Sequence, residues 1–466
     1  MERGAYNPVY VKRGLILRPQ SSPEAVVKTL TWIGIVVVAL ATSSCLLGGG
    51  YSVGGTVTGL LGSGLVLRNS SGKYLTVTAN GDFTFPSTVA NGGTYSVTVM
   101  TQPSSPSQTC TVTNGAGTIA KAPVTNIIVT CSQAGRYAYV VNGTANTISA
   151  YSIDESTGAL TAVAGSPFAA GGTLPIAATV DPGGTYLYVA NYSSNTVSIF
   201  SIDDTTGIIT PAGETLTVGN GPMAVTVDPT NSFLYVANSL DNTISAFNVQ
   251  AGTGLPTAIT DSPFTGGSGP VALKTNPSGT FLYVTDFTGG NVTVLGITSG
   301  TGILTTVSGS PFGAGTGPVS IAIDPAGAFA YVANQTSDSI SMYALNASTG
   351  AMTAASSSPL ATASSPESLV VNPASTFLYA ANVTSANTAA TYAITPGTGV
   401  LTLASTSPAG TLPSSIAVDP AGTFVYVANQ NSADVSVFSV DTTGALAAVA
   451  GSPFAAGTGP RSIVID

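Results

Sequence analysis

The chain has 466 residues, of which 7% are charged and 44% hydrophobic, with 54 glycines and a formal net charge of -9. It is long enough to bury a sizeable core, too apolar for a disordered chain, and too often broken by turn residues for a multi-span membrane protein. Residues 1–134 hold eight Lys/Arg against three Asp/Glu, whereas beyond them Arg136, Lys274 and Arg461 face seventeen acidic residues. A body so acidic repels phosphate backbones, so nucleic acid is not expected as a partner.

The N-terminus reads as an export segment over residues 1–45. Arg3, Lys12, Arg13, Arg18 and Lys28 form a basic lead before an apolar stretch from Leu30 to Ala41. That stretch is short for a membrane span and suits the h-region of a signal peptide. Leu40-Ala41-Thr42-Ser43-Ser44-Cys45, followed by Leu46-Leu47 and Gly48-Gly49-Gly50, resembles a bacterial lipoprotein processing site. The resemblance implies lipid attachment at Cys45, with Thr42 standing where such sites usually carry Leu. The competing readings are an uncleaved membrane anchor and ordinary signal cleavage. The chain has three cysteines, so lipidation of Cys45 would leave Cys110 and Cys131 as one pair. A disulfide between them would close a loop of about 20 residues, worth on the order of 3 kcal/mol. An oxidising compartment favours that bond over two buried thiols.

Residues 51–133 alternate short apolar runs with turns: Ser52 to Leu60, Gly64 to Arg68, Tyr74 to Thr78, Thr94 to Val99 and Val124 to Cys131. Asn80-Gly81 and Asn91-Gly92-Gly93 supply hairpin chemistry. The pattern predicts a small β-sandwich of Ig-like or prealbumin-like type. Its opening, Val53 to Leu60, resembles domains at the front of bacterial surface lipoproteins. A spacer or adhesive role is expected of it.

From residue 135 to 466 one unit recurs seven times. Its anchor is a Tyr followed three residues later by Asn: Tyr139/Asn142, Tyr188/Asn191, Tyr235/Asn238, Tyr331/Asn334, Tyr379/Asn382 and Tyr426/Asn429, with Tyr283/Asp286 as the variant. A Pro-led apolar run precedes each anchor, and a strand such as Thr196 to Ile202, a Thr-Gly turn and a further run follow it. Four strands per unit make a propeller blade. In Asp324-Pro325-Ala326-Gly327, Pro sets φ and Gly supplies the left-handed residue that closes a hairpin. Asn231 takes that Gly place in one blade with tolerance, and Ser375 takes it less easily. Two aromatics alternate on the second strand of every blade, and packing between blades is the expected use of these fourteen rings.

The ends of the repeat are informative. Asp466 stands where Asp181 or Asp324 stands in a complete unit, and Gly135 begins where Gly184 or Gly327 stands. The repeat is cut inside one hairpin turn. Pro460 to Asp466 is therefore expected to give the inner strand of the blade that starts near Arg136, closing the ring. The expected fold class is all-β: a seven-bladed propeller closed by its C-terminal strand, preceded by the small sandwich.

Asp-Pro-x-Gly, Phe-x-Tyr-Val-Ala-Asn, Ser/Thr-Thr-Gly-x-Leu and Gly-Ser-Pro-Phe together resemble the YVTN-repeat and lactonase-like β-propellers. The best copy is Asp419 to Asn429, and the resemblance covers about 330 residues. It implies the fold firmly and the activity weakly, since one fold hosts many functions. Characterised relatives include sugar-lactone hydrolases and a fungal muconate-cyclising enzyme with a His, Arg and Glu set. This chain contains no His, and its one Trp is Trp32, which excludes that set and the WD type of blade. The ring has no Cys nucleophile and no His for a Ser triad. Asp203-Asp204 reads as a solvated turn, and no metal or cofactor is expected.

Two functional readings follow. The first is a lipid-anchored binding or structural protein of the bacterial cell envelope, on the outer surface or in the periplasm. It would be monomeric, with the membrane as partner and an envelope glycan, peptide or small molecule as ligand. The alternative is a lactonase-type hydrolase of the 6-phosphogluconolactonase-like fold working through carboxylates. Candidate ligand-binding residues come from the start of the inner strands. The position after each Pro is small or apolar at Ile176, Met223, Val271, Val319 and Ser414, but charged at Glu367 and Arg461. Lys274 breaks the pattern further down another inner strand. In a ring so poor in charge, three such residues near one axis mark the candidate site. The bland reading of Glu367 and Arg461 is a solvent-exposed pair of little energetic weight.

Overall fold

The computed structural model describes residues 50–60, 63–103, 108–133, 137–383 and 387–466. The segment read as an export signal, with Trp32 and Cys45, lies outside the described residues, and so does Arg136. Among the described residues there is no helix long and apolar enough to cross a membrane.

Residues 51–133 form two four-stranded sheets. Tyr51–Thr58 lies between Gly81–Val89 and Val124–Gln133, and the latter also pairs with Gln108–Thr113. Leu65–Asn69 lies between Tyr74–Val77 and Thr94–Thr101, which also pairs with Ala116–Thr118. Alternation turns Val53, Val57, Leu65, Leu67, Phe83 and Phe85 into one buried core drawn from both sheets. Three of these strands, Gly81–Val89, Gln108–Thr113 and Ala116–Thr118, escape the pattern reading because Pro, Ser and Thr dilute their apolar positions. Cys110 faces Cys131 across one antiparallel ladder, and the two are joined in a disulfide.

The rest of the chain builds seven sheets, one per repeat. We number the blades by their inner strands. Blade 1 has Pro460–Ile465, and blades 2 to 7 have Pro175–Val180, Pro222–Val227, Pro270–Thr275, Pro318–Ile323, Pro366–Val371 and Pro413–Val418. Each inner strand pairs with the strand that ends in the anchor Asn or Asp286. The third strand then pairs with a fourth that is usually split, as in Leu160–Ala162 and Phe168–Ala169 around Gly165-Ser166-Pro167. Blade 6 keeps that strand whole, from Leu401 to Pro408.

Closure follows the expected register. Pro460 lies opposite Asn142, Ile463 opposite Val140 and Ile465 opposite Ala138. At this junction the Asp466 carboxylate accepts from the Tyr137 N–H, as Asp181 and Asp419 accept from Tyr186 and Phe424. The core lies between blades. Seven apolar clusters each draw on two neighbouring blades, including one that joins blade 7 to blade 1.

The alternating aromatics serve this packing. The Tyr139 hydroxyl donates to the Gly207 carbonyl in the outer turn of blade 2, and Tyr188, Tyr235, Tyr283 and Tyr331 repeat the bond one blade further on each time. Gly207 has φ 69°, and a Cβ there would sit 2.2 Å from the Tyr137 ring. The Thr-Gly turn therefore needs glycine both for its backbone and for the ring laid on it. The Gly-for-Asn and Gly-for-Ser exchanges also hold their conformation, with φ 56° at both Asn231 and Ser375.

The anchor Asn ties strands within a blade. Asn429 Nδ2 donates to Asp434 Oδ1 at 2.7 Å and to Ser436 Oγ at 3.0 Å. In blade 4 the buried Asp286 cannot donate in this way and instead accepts from Thr293 Oγ1 at 2.6 Å. Its Oδ1 and the Oδ1 of Asn291 are both buried without a hydrogen-bond partner. Burial pushes the Asp286 carboxyl up to about 6, with the Thr293 bond opposing the shift.

Candidate functional site at one mouth of the channel

The Pro that opens each inner strand packs inward, and a register shift follows it, so the next residue is turned out of the ladder. Sevenfold repetition carries these residues to one place. Ile176, Met223, Val271, Val319, Glu367, Ser414 and Arg461 all line a single cavity of about 420 Å3. The volume lies within the range of small-molecule sites, roughly 300–1,000 Å3.

Glu367 and Arg461 are therefore brought together, on blades 6 and 1 with blade 7 between them. Neither is exposed; both are half-buried in the cavity wall. They are not a solvated surface pair. Desolvation raises the Glu367 pKa, while a hydrogen bond from Gln335 and the charge of Arg461 pull it back. Gln335 Nε2 donates to Glu367 Oε2 from the neighbouring blade 5, which leaves Oε1 to take a proton. The Arg461 Nε is buried and has no hydrogen-bond partner. Its stem lies over Gly143, where a Cβ would come within 2.9 Å of Arg461 Cγ. The site thus holds a carboxylate kept basic by partial burial beside a guanidinium with donors to spare.

Lys274 is not among the residues that line this cavity. It lies two residues beyond Ala272, which does line it, so strand alternation puts both on one side of the inner strand at different depths. Its side chain keeps an exposed surface, yet the surrounding blades desolvate the ammonium and lower its pKa. The exposed area reports contact with solvent, and the lowered pKa reports crowding; an amine in a narrow wet channel meets both conditions. The three charges read from the sequence thus divide into a pair at the mouth and one cation deeper down.

Two features escaped the sequence reading. Gln335 directly follows an anchor Asn, where Gly143, Tyr192, Ser239, Phe287, Val383 and Gln430 stand in the other blades, and only the fold shows it reaching the next blade. The second is a hydroxyl ladder. Ser320, Ser368, Ser415 and Ser462, each two residues after the Pro, accept from the backbone N–H groups of Leu369, Ile416, Ile463 and Ala178 in the next blade. Pro-x-Ser in four blades against Pro-x-Ala in three was its visible trace.

Asp203 and Asp204 are exposed, and Asp203 caps its own turn by accepting from Thr205 and Thr206. Among the described residues no group of three or more His, Cys, Asp or Glu is arranged to hold a metal.

No curated protein matches the chain. Solved structures do. A provisionally named 6-phosphogluconolactonase of Bacteroides fragilis is 20% identical, with a TM-score of 0.64 over 72% of this chain and 98% of its own. A protein of the same provisional name from Bacteroides uniformis is 19% identical, with a TM-score of 0.63 over 72% of this chain and 100% of its own. The periplasmic gluconolactonase of Pseudomonas aeruginosa is 19% identical, with a TM-score of 0.60 over 71% and 99%. At such identities the likeness speaks for the fold. The model of the family described as lactonase, 7-bladed beta-propeller, matches residues 106–226, 214–319 and 312–463. The chain belongs to the lactonase family of seven-bladed β-propellers.

Proposed function

We propose that the protein hydrolyses a small lactone at the channel mouth. The observation that carries this reading is the placement of Glu367 and Arg461 in one cavity. Family membership supports it, as do neighbours whose names record gluconolactonase and 6-phosphogluconolactonase.

Arg461 donates to the lactone carbonyl oxygen and holds the oxyanion that forms there. Glu367 Oε1 takes a proton from a water as its oxygen bonds to the carbonyl carbon. When the ring C–O bond breaks, the leaving oxygen takes that proton from Glu367, and the product is a hydroxy acid. The acid then loses its proton to solvent, and its carboxylate remains against Arg461. One arginine with a carboxylate beside it suits a neutral lactone better than a phosphorylated one, since Glu367 would repel the dianion.

A panel of lactones assayed for acid release tests the reading. Glu367→Gln and Arg461→Ala should each lower turnover at least a hundredfold and leave the melting temperature nearly unchanged. Full activity in both variants would refute it.

The same proposal sets the protein in the bacterial cell envelope, lipid-anchored at Cys45. The Cys110–Cys131 disulfide supports an oxidising compartment. Processing before Cys45 would remove Trp32, so protein extracted from membranes should show tyrosine emission alone. A tryptophan band would count against it.

A further inference from the structure

The seven cavity positions are not mixed at random around the ring. Blades 2, 3, 4 and 5 contribute Ile176, Met223, Val271 and Val319 in an unbroken arc. Blades 6, 7 and 1 contribute Glu367, Ser414 and Arg461 in the complementary arc. In a ring of seven, the middle of the polar arc, Ser414, lies opposite Met223 and Val271. The next layer down repeats much of the division. Ala177, Ala224 and Ala272 stand in blades 2, 3 and 4, whereas Ser320, Ser368 and Ser462 line the cavity from blades 5, 6 and 1. Those hydroxyls already brace neighbouring strands, and the Ser414 hydroxyl donates to the Pro460 carbonyl at 2.8 Å. The polar sector is thus held in place by bonds between blades, and the opposite sector presents the hydrocarbon of Ile176, Val271 and Val319 and the thioether of Met223, with the Tyr192 phenol at its blade 2 end.

A polyhydroxylated ring fits such a cavity poorly. It carries hydroxyls on every side, and those turned to Met223, Val271 and Val319 would lose water without gaining a side-chain partner. A ligand with its ester at one end and hydrocarbon at the other satisfies both arcs. We propose that the cavity selects lactones bearing an alkyl substituent, and the hydroxy acids they open to, over sugar lactones. The ester then lies on the Glu367–Arg461 side and the alkyl group on the Met223–Val271 side. The chemistry at the ester rests on the hydrolase reading above; the preference for hydrocarbon rests on the apolar arc alone.

The test measures binding and turnover separately on the intact protein. Calorimetry with 4-hydroxyhexanoate, 4-hydroxyoctanoate, 4-hydroxydecanoate and gluconate gives the binding series. Affinity should rise about fourfold per methylene, with gluconate weaker than the shortest alkyl acid. Met223→Asn should flatten the rise with chain length while the protein melts as before. Affinity independent of chain length, or gluconate bound as tightly as 4-hydroxyoctanoate, overturns the inference. The corresponding lactones are then assayed for hydrolysis. Chain-length-dependent binding without turnover of any lactone would refute the hydrolase reading and uphold the alkyl preference. Preferred turnover of gluconolactone would do the reverse, and absence of all binding would sink both.

Discussion

Asp286 offers a sharp test of how the repeat is held together, because the other six blades show what should stand there. Replacing it by Asn removes a buried carboxyl that burial has pushed from 3.8 to about 6. A folded-state pKa above the unfolded one means that the native state binds the proton more tightly. The stability this provides is complete below about pH 4 and is lost as pH rises through about 6. At neutral pH the buried charge therefore costs about 3 kcal/mol relative to the neutral acid. Asn avoids that cost and adds donors. Its Nδ2 would meet Asn291 Oδ1, now without a partner, and Thr293 Oγ1, repeating the bonds from Asn429 to Asp434 and Ser436. Asp286→Asn should thus raise the melting temperature at pH 7.5 by about 5 °C, taking roughly 2 °C per kcal/mol for a domain of this size. Calorimetric melts of both proteins at pH 4.5 and 7.5 check it. The gain should shrink markedly at pH 4.5, where the wild-type carboxyl is protonated. A variant that melts below the wild type at pH 7.5, or a gain equal at both pH values, would refute the reasoning.

Other expectations follow from particular contacts. Deleting Pro460–Asp466 removes the inner strand of blade 1 and exposes the Tyr137–Asn142 edge; aggregation or loss of a cooperative melt is expected, and a deletion variant that melts like the full chain would overturn the closure. Ser375→Gly relieves a left-handed residue with φ 56° and should stabilise by about 0.5–1 kcal/mol in denaturant melts, after allowing for the added freedom of the unfolded chain. Turnover, if it depends on ionised Glu367, should rise with pH along an acid limb. Gln335→Leu removes a donor to that carboxylate, so the limb should move to higher pH; an unmoved pH profile would remove Gln335 from the site.

Much of this architecture was legible in the residues. Tyr-x-x-Asn recurring at a near-constant spacing set the number of blades, and the phase of the repeat at Gly135 and Asp466 set how the ring closes. The blade count survives because each turn and strand pair is specified within one unit, and the closure survives because the phase of the repeat leaves one inner strand and one second strand to pair across the ring. Even the cavity-lining position could be read, since Pro marks the start of every inner strand and sevenfold repetition sends whatever follows it to the same end of the axis. That is why Glu367 and Arg461 stood out in a chain with so few charges.

What the residues could not decide was anything set by distance between blades. Lys274 was read as a third charge near the axis, further down its inner strand, and only the fold shows that it does not line the cavity with Glu367 and Arg461. Gln335 looked like one more polar turn residue until the neighbouring blade put Glu367 within its reach. The four serines of the ladder are unremarkable in each repeat and acquire a purpose only when the inner strands stand side by side. Above all, the grouping of polar and apolar positions into two facing arcs is a property of the closed ring. Along the chain the seven residues lie dozens of positions apart. Closure alone makes Arg461, from the last strand, a neighbour of Ile176, from the second blade, and turns a periodic sequence into a cavity with two chemically different walls.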